Sequence, residues 1–361
     1  MDYQEGEPHL HDERPSQPPP IVLRAVEVPE RRSSCLRKLG GILFTMVFVG
    51  SILLNIVLLG ILGTSYSRSE SGLQEAYVSG PSQEKKKVAI VPVKGAIFEG
   101  ESSWGLGAYS FGMKALKTAL NDDSVAAVVL EVNSPGGSVT ASDRLCHEIT
   151  QLAAKKPVVV FMGDIAASGG YYISAPAKVI YASPTTITGS IGVIVETLNA
   201  EQLMEKIGVK MTVVKSGPRK DVLSPWRSLT EGEQAMLSGI VGELYEQFLQ
   251  AVLAGRKDKI TREKLLSIAD GSIFTADQAL KNGLIDKIGY REDAIKEAGT
   301  LAGIAGEPLV VEYRKTLTLL ELLAGAKFHQ ENSIGPDLLL RLMGRSPFLF
   351  MWVMPQGSPP S

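Results

Sequence analysis

Cysteine is nearly absent. The 361-residue chain has two, Cys35 and Cys146, which excludes a disulfide framework and a cysteine-rich zinc site. Histidine is almost as scarce. His9, His11, His147 and His329 are all there is, which leaves little material for histidine-based catalysis or metal binding. An excess of charge is missing too. Lys and Arg total 37 against 39 Asp and Glu, a formal net charge of −2, without the basic footprint that nucleic-acid binding requires. No nucleic-acid partner is expected. What remains is ordinary for a globular chain, 44% apolar and 21% charged, so a core can form. A wholly disordered, collagen-like or multi-span protein is excluded.

Charge also vanishes locally. No charged residue occurs from Leu39 to Ser67, and about 20 apolar residues suffice to cross a bilayer's hydrocarbon core. The run starts too late, is too long and lacks the small-x-small site expected of a cleaved signal peptide. Residues 39–63 therefore read as a transmembrane anchor, with the lipid bilayer as partner. Arg31, Arg32, Arg37 and Lys38 precede it, while Arg68 alone closely follows it. Positive flanks stay cytoplasmic, so the expected topology is N-terminus in, body outside.

Residues 1–38 hold six of the 20 prolines within their first 30 positions and read as a disordered cytoplasmic tail. Residues 64–87 read as a polar linker, 88–314 as the folded domain and 315–361 as an apolar C-terminal extension. That extension contains a Phe-Leu-Phe-Met-Trp-Val-Met run too short to span a bilayer. It is expected to pack on the body, with a subunit contact or a pocket-blocking tail as alternatives.

Within the folded part, apolar runs starting at Val88, Val125, Pro157 and Lys178 read as strands. Amphipathic stretches starting at Met113 and Ser138 read as helices. A helix from Tyr171 and another over the Leu-Asn-Ala-Glu-Gln-Leu-Met-Glu-Lys segment follow, and residues 209–217 read as a further strand. A long helix opens with a Thr230-x-x-Glu233 capping box. Strands alternating with helices define an α/β class.

Two glycine-rich turns each follow a buried strand: Asn133-Ser134-Pro135-Gly136-Gly137-Ser138 and Ala166-Ala167-Ser168-Gly169-Gly170-Tyr171. Paired glycines let backbone N–H groups face a cleft without Cβ obstruction. A serine at a strand-to-helix junction gains from the helix N-terminus. Taken alone, the second turn also fits a plain helix cap, and no phosphate-binding Gly-x-x-x-x-Gly-Lys-Ser/Thr motif follows. A nucleophilic serine needs a base. His147 falls in an amphipathic helix beside charged residues, so a Ser-His-Asp triad is poorly supported. A neutral lysine is the alternative, and Lys178, Lys206, Lys210, Lys215 and Lys220 are the candidates that follow Ser168.

Five ordered segments now carry a resemblance: residues 133–143, 167–174, 188–193, 215–221 and 270–286. Together they resemble the signal peptide peptidase A family, the S49 serine peptidases, in its short single-anchor form. The resemblance implies a ClpP/crotonase-like spiral α/β core behind one transmembrane helix and a Ser-Lys dyad that needs no metal or cofactor. It places the nucleophile on Ser168, the general base on Lys220 and the lysine-orienting hydroxyl on Ser190. The oxyanion donors fall on Gly169 and on the Gly136-Gly137 turn. It further implies apolar peptide substrates, remnant signal peptides included, and a homo-oligomeric ring in which Ser and Lys can come from neighbouring chains. Two competing readings are a crotonase-type acyl-CoA enzyme, which would need a catalytic carboxylate, and a non-catalytic ring-forming membrane scaffold.

Overall fold

A computed structural model describes residues 35–67, 73–99, 101–102, 105–315 and 348–351. Residues 1–34 of the expected tail and most of the C-terminal extension lie outside the described residues, whereas residues 35–38, expected in the tail, and 64–67, expected in the linker, are helical. The chain divides into two units, residues 1–68 and 69–361. The first holds one helix, α1 (Cys35–Ser67). Its Gly40–Leu59 segment is long and apolar enough to cross a membrane.

The second unit begins with β1 (Leu73–Ser79), β2 (Lys87–Lys94), β3 (Glu101–Ser102) and β4 (Gly105–Leu106). There follow α2 (Ala108–Asn121), β5 (Val125–Ser134), β6 (Gly136–Ser138), α3 (Val139–Ala153), β7 (Val158–Ala167) and α4 (Gly169–Ser174). Next come β8 (Val179–Ala182), β9 (Ile187–Gly189), β10 (Ile194–Val195), α5 (Glu201–Lys206) and α6 (Glu231–Gly255). The described chain closes with α7 (Arg262–Leu266), β11 (Ile273–Thr275), α8 (Ala276–Lys281), β12 (Lys287–Ile288), α9 (Arg291–Leu301), β13 (Leu309–Lys315) and β14 (Phe348–Met351).

The α/β class is as expected. A nine-stranded sheet runs β1-β13-β2-β5-β7-β8-β12, with β9 beside β7 and β11 beside β9. From β13 through β12 the pairs are parallel, and β1 and β11 add antiparallel edges. Residues 73–79, within the stretch read as linker, thus supply an edge strand. Side chains alternate across a strand, and both faces are covered. Val91, Val93, Val128, Leu130, Val160 and Met162 join the cluster that includes Leu116, Leu145 and Ile173 of α2–α4. Val88, Ile90, Val129 and Val159 join Ala294 and Ala298 of α9 on the other face. This explains the unbroken apolar runs, since a strand buried on both sides needs no polar alternation.

Two elements depart from expectation or extend it. Residues 209–217 are not a strand. Val209, Met211, Val213 and Val214 are exposed, and no described strand lies beside them to complete a ladder. The C-terminal β14 pairs antiparallel with both β6 and β10, forming a separate three-stranded sheet.

Arg256 caps the end of α6 while only 1% exposed. Its guanidinium donates to both oxygens of Asp286, at 2.7 and 3.0 Å, and twice to the Gly283 carbonyl. Asp286 also accepts from the Ile180 N–H of β8, so one ion pair ties α6 to the sheet. Burial alone would raise the Asp286 carboxyl, but the Arg256 hydrogen bonds and charge hold it below the ordinary carboxylate range. Its contribution to stability is therefore present at neutral pH and lost as pH falls through that lowered value. Arg256→Met should destabilise the fold by about 3–5 kcal/mol, because it strands a buried carboxylate. Denaturant unfolding of the single variant and of Arg256→Met/Asp286→Asn checks this, and the double variant should recover part of the loss.

Candidate active site

β7 changes partners as it approaches the second glycine turn. Val159–Met162 pair with β8, whereas Ile165–Ala167 pair with β9. Between Met162 and Ala166 the strand bulges against β5. The Asn133 side chain spans the irregularity, donating to Asp164 at 3.0 Å and accepting from the Ile165 N–H at 3.2 Å. Thr188 secures the other side by donating to the Ala166 carbonyl at 2.6 Å.

Ser168 stands at the end of this strand with φ 53° and ψ −115°. A side chain other than glycine rarely adopts such a backbone, which costs about 1–3 kcal/mol. Its neighbours hold it there. The Ser168 N–H donates to the Gly189 carbonyl at 2.8 Å, and its carbonyl accepts from the Tyr172 N–H at 2.8 Å. The side chain does not cap α4, so its hydroxyl is not spent on the helix. Ser190 has the same unusual hand, φ 49°, and its N–H donates to the Ser272 carbonyl at 2.7 Å. Both serines are buried residues, and both line one cleft of about 1050 Å³. Its other walls include Ile191–Val195 and the Gln234, Leu237, Ser238 and Val241 face of α6.

The glycines divide the work. A methyl at Gly170 would stand 2.6 Å from the Ser134 carbonyl oxygen, so this position is glycine for close packing. Gly169 opens α4, where a helix leaves its first N–H groups without intrahelical partners. The Gly136 N–H donates to Ser134 Oγ at 3.1 Å. The Gly136 carbonyl and the Ser138 N–H both face Ile97. Strand geometry then turns the Gly137 N–H to the opposite side, where Gly137 opposes Phe350 of β14.

Lys220 is placed apart from the serines. It sits exposed in a turn, its N–H donating to the Gly217 carbonyl at 3.2 Å, and it does not line the cleft that Ser168 and Ser190 share. His147 lines a different cleft of about 720 Å³ between α2, α3 and α6, so no Ser-His pair forms around Ser168. Beside His147, burial pushes the Cys146 thiol up to about 12, which makes it an inert core thiol and no rival nucleophile. No cluster of His, Cys, Asp and Glu able to hold a metal occurs among the described residues. Asn133, Ser134 and Thr188 shape the site without having been singled out from sequence, although the motifs quoted there contain them.

A buried serine in a strained strand-to-helix turn, opening on a cleft at the N-terminus of α4, has the placement that a nucleophile needs. The model of peptidase family S49 matches residues 150–305. A putative protease of Synechocystis sp. is 44% identical over 220 residues, covering 61% of this chain and 76% of that protein. A putative signal peptide peptidase SppA of Enterococcus faecium is 37% identical over 238 residues, 64% of this chain and 68% of that one. Protease 4 of Salmonella typhi is 40% identical over 216 residues, 60% of this chain but 34% of that longer protein. The chain belongs to peptidase family S49.

Gly170→Ala should move the Ser168 turn away from β5. A loss of about 1–3 kcal/mol in denaturant unfolding is expected, together with a fall in kcat that exceeds any change in KM.

Proposed function

We propose that the protein is a membrane-anchored serine endopeptidase that hydrolyses apolar peptides, remnant signal peptides among them, through an acyl-enzyme on Ser168. The observation that carries this reading is Ser168, held in a strained turn and lining a cleft that β10 also lines, while β10 and β6 pair with an extended strand between them. A peptide substrate adds there as a strand, in the position that β14 takes in the chain itself.

Lys220 is the general base. A neutral lysine amine takes the Ser168 proton as Oγ bonds to the scissile carbonyl carbon. The N–H groups of Gly169 and Gly137 hold the oxyanion, while Gly136, whose own N–H is engaged by Ser134, sets the turn. The carbon–nitrogen bond then breaks, and the lysine returns the proton to the leaving amine. Water attacks the resulting ester with Lys220 again as base, releasing the carboxylic acid and restoring the serine hydroxyl. Ser190 orients the lysine. No metal or cofactor enters any step.

Ser168 and Lys220 meet between neighbouring copies in a ring. Supporting this is the exposed apolar arm that carries the lysine: Leu198, Leu203 and Ile207 are each 60% exposed and Val214 98%. The residues from Val209 to Val214 have strand-like composition without a strand partner among the described residues, and a second copy supplies one. Residues 39–63 anchor the ring in the bilayer. The basic residues before the anchor keep the N-terminus cytoplasmic and the body extracytoplasmic.

Full-length protein in detergent micelles tests the dyad on fluorogenic apolar peptides. Ser168→Ala should lower kcat by about 10⁴-fold or more and Lys220→Ala by about 10²–10⁴-fold, and wild-type rates should rise with pH across the alkaline range. Co-assembling the two inactive variants should restore roughly a quarter of the sites if the dyad forms between copies. No recovery, from variants that do co-assemble, would place both residues in one chain. Ending the chain at residue 347 removes β14 and should increase turnover of added peptide. An unchanged rate would mean that β14 and substrate do not compete.

A further inference from the structure

The turn that bears Lys220 is held largely by polar contacts, and Arg227 makes most of them. Arg227 donates from Nε to Asp221 Oδ2 at 2.9 Å and from Nη2 to Asp221 Oδ1 at 2.8 Å. The same guanidinium donates from Nη1 to Glu233 Oε2 at 2.8 Å and from Nη2 to Glu233 Oε1 at 2.6 Å. Further bonds go to the carbonyls of Ser228 and Asp221. Arg227 therefore grips two carboxylates as a double fork, a geometry that a lysine ammonium cannot reproduce. Asp221 follows Lys220 directly. Glu233 is 3% exposed and closes the capping box of α6, accepting from the Thr230 N–H at 2.9 Å. Four residues further along that helix, Leu237 lines the cleft that holds Ser168.

We propose that Arg227 is a positioning residue for the reaction: it locks the Lys220 turn to the first turn of α6 and keeps the Asp221 carboxylate engaged away from the lysine. The inference rests on Lys220 being the general base. It holds whether the lysine serves its own chain or a neighbour, because the clamp fixes the turn on its own α6 in either case.

The charges around the turn are few and mostly paired. Lys215 donates to Asp221 Oδ1 at 2.6 Å and to the Pro218 carbonyl at 3.0 Å. Glu201 of α5 accepts from the backbone and hydroxyl of Ser228, at 2.8 and 2.5 Å. Arg219 reaches toward Met236 of α6. Arg227 and then Lys215 hold the Asp221 carboxyl well below the usual carboxylate range. Arg227 and the Thr230 N–H bring Glu233 down to about 2. Both acids are therefore anions throughout the pH range of catalysis, and an anion released beside the base would favour its protonated, inactive form.

Steady-state kinetics of full-length Arg227→Gln, Arg227→Lys, Asp221→Asn/Arg227→Gln and Lys220→Ala, each checked for folding and assembly, separate positioning from bulk structure. Arg227→Gln should lower kcat about ten- to hundred-fold with KM changed less than about two-fold. The acid limb of its kcat/KM profile should move to higher pH, since a cation is lost and an anion freed. Arg227→Lys keeps the charge without the fork, so kcat should fall while that limb stays in place. The double variant should bring the limb back toward wild type. A folded Arg227→Gln protein with wild-type kcat, or with a lowered kcat and an unmoved acid limb, overturns the inference while an inactive Lys220→Ala leaves the dyad standing. An active Lys220→Ala protein overturns both.

Discussion

The pairing of β7 with two different partners is the constraint on which the rest depends. A long parallel strand running on beside β8 would carry Ser168 into the sheet plane. Instead, β7 bulges after Met162, pairs with β9 over Ile165–Ala167, and passes at Ser168 into a backbone that serine rarely adopts. The energy for that backbone comes from the sheet. Val158–Met162 are anchored between buried strands, and the carbonyl of Gly189 fixes the Ser168 N–H. Because β9 ends where Ser190 begins, the same pairing sets the second serine beside the first. One switch of strand partner thus aligns two side chains that lie 22 positions apart in sequence.

The sheet and helices were largely legible in the sequence. Continuous Val-rich runs mark strands covered on both faces, and the Thr230–Glu233 box marks the start of α6 to the residue. The turn at Ser168 was legible because its paired glycines announce a strand-to-helix turn, while the role of the serine came from the family resemblance. The failures have physical causes. Residues 209–217 have the composition of a strand, but a strand exists only beside a partner, and composition does not say whether the same chain supplies one. Asn133 was quoted within a motif, but its amide stitches a bulge in a strand some 30 residues away, which no local pattern encodes. Arg227 was missed for a related reason. Its two carboxylates lie six residues to either side, a spacing that matches neither helical nor strand periodicity.

The site divides into two supports of different stiffness. Ser168, Ser190 and the glycine turns grow from the central sheet, whose middle strands are buried on both faces. Lys220 is carried on a surface excursion between β10 and α6 whose apolar side chains point into solvent. On the proposed reading Ser168 and Lys220 are a catalytic pair whose members need holding to within a fraction of an ångström, so the excursion requires fixing from outside the core. The polar clamp to the first turn of α6 meets part of that need, and in the proposed ring a neighbouring copy seated on the exposed apolar residues meets the remainder. The clamp uses charges because hydrophobic burial, being non-directional, would hold the turn without setting its orientation.

This division also bears on how a membrane-tethered peptidase restrains itself. On the proposed reading, in which the base reaches Ser168 from a neighbouring copy, an isolated copy holds an incomplete site and proteolysis is confined to the assembled state. The extended strand β14 adds a second restraint of a different kind. Pairing along Gly136–Ser138 and Ile194–Val195 uses backbone groups alone, which any peptide of sufficient length offers. Such a contact occupies the edges of β6 and β10, yet it has no chemical advantage over a substrate strand that pairs there. On the proposed reading the two restraints act in sequence: assembly creates the dyad, and displacement of the chain's own strand admits the peptide.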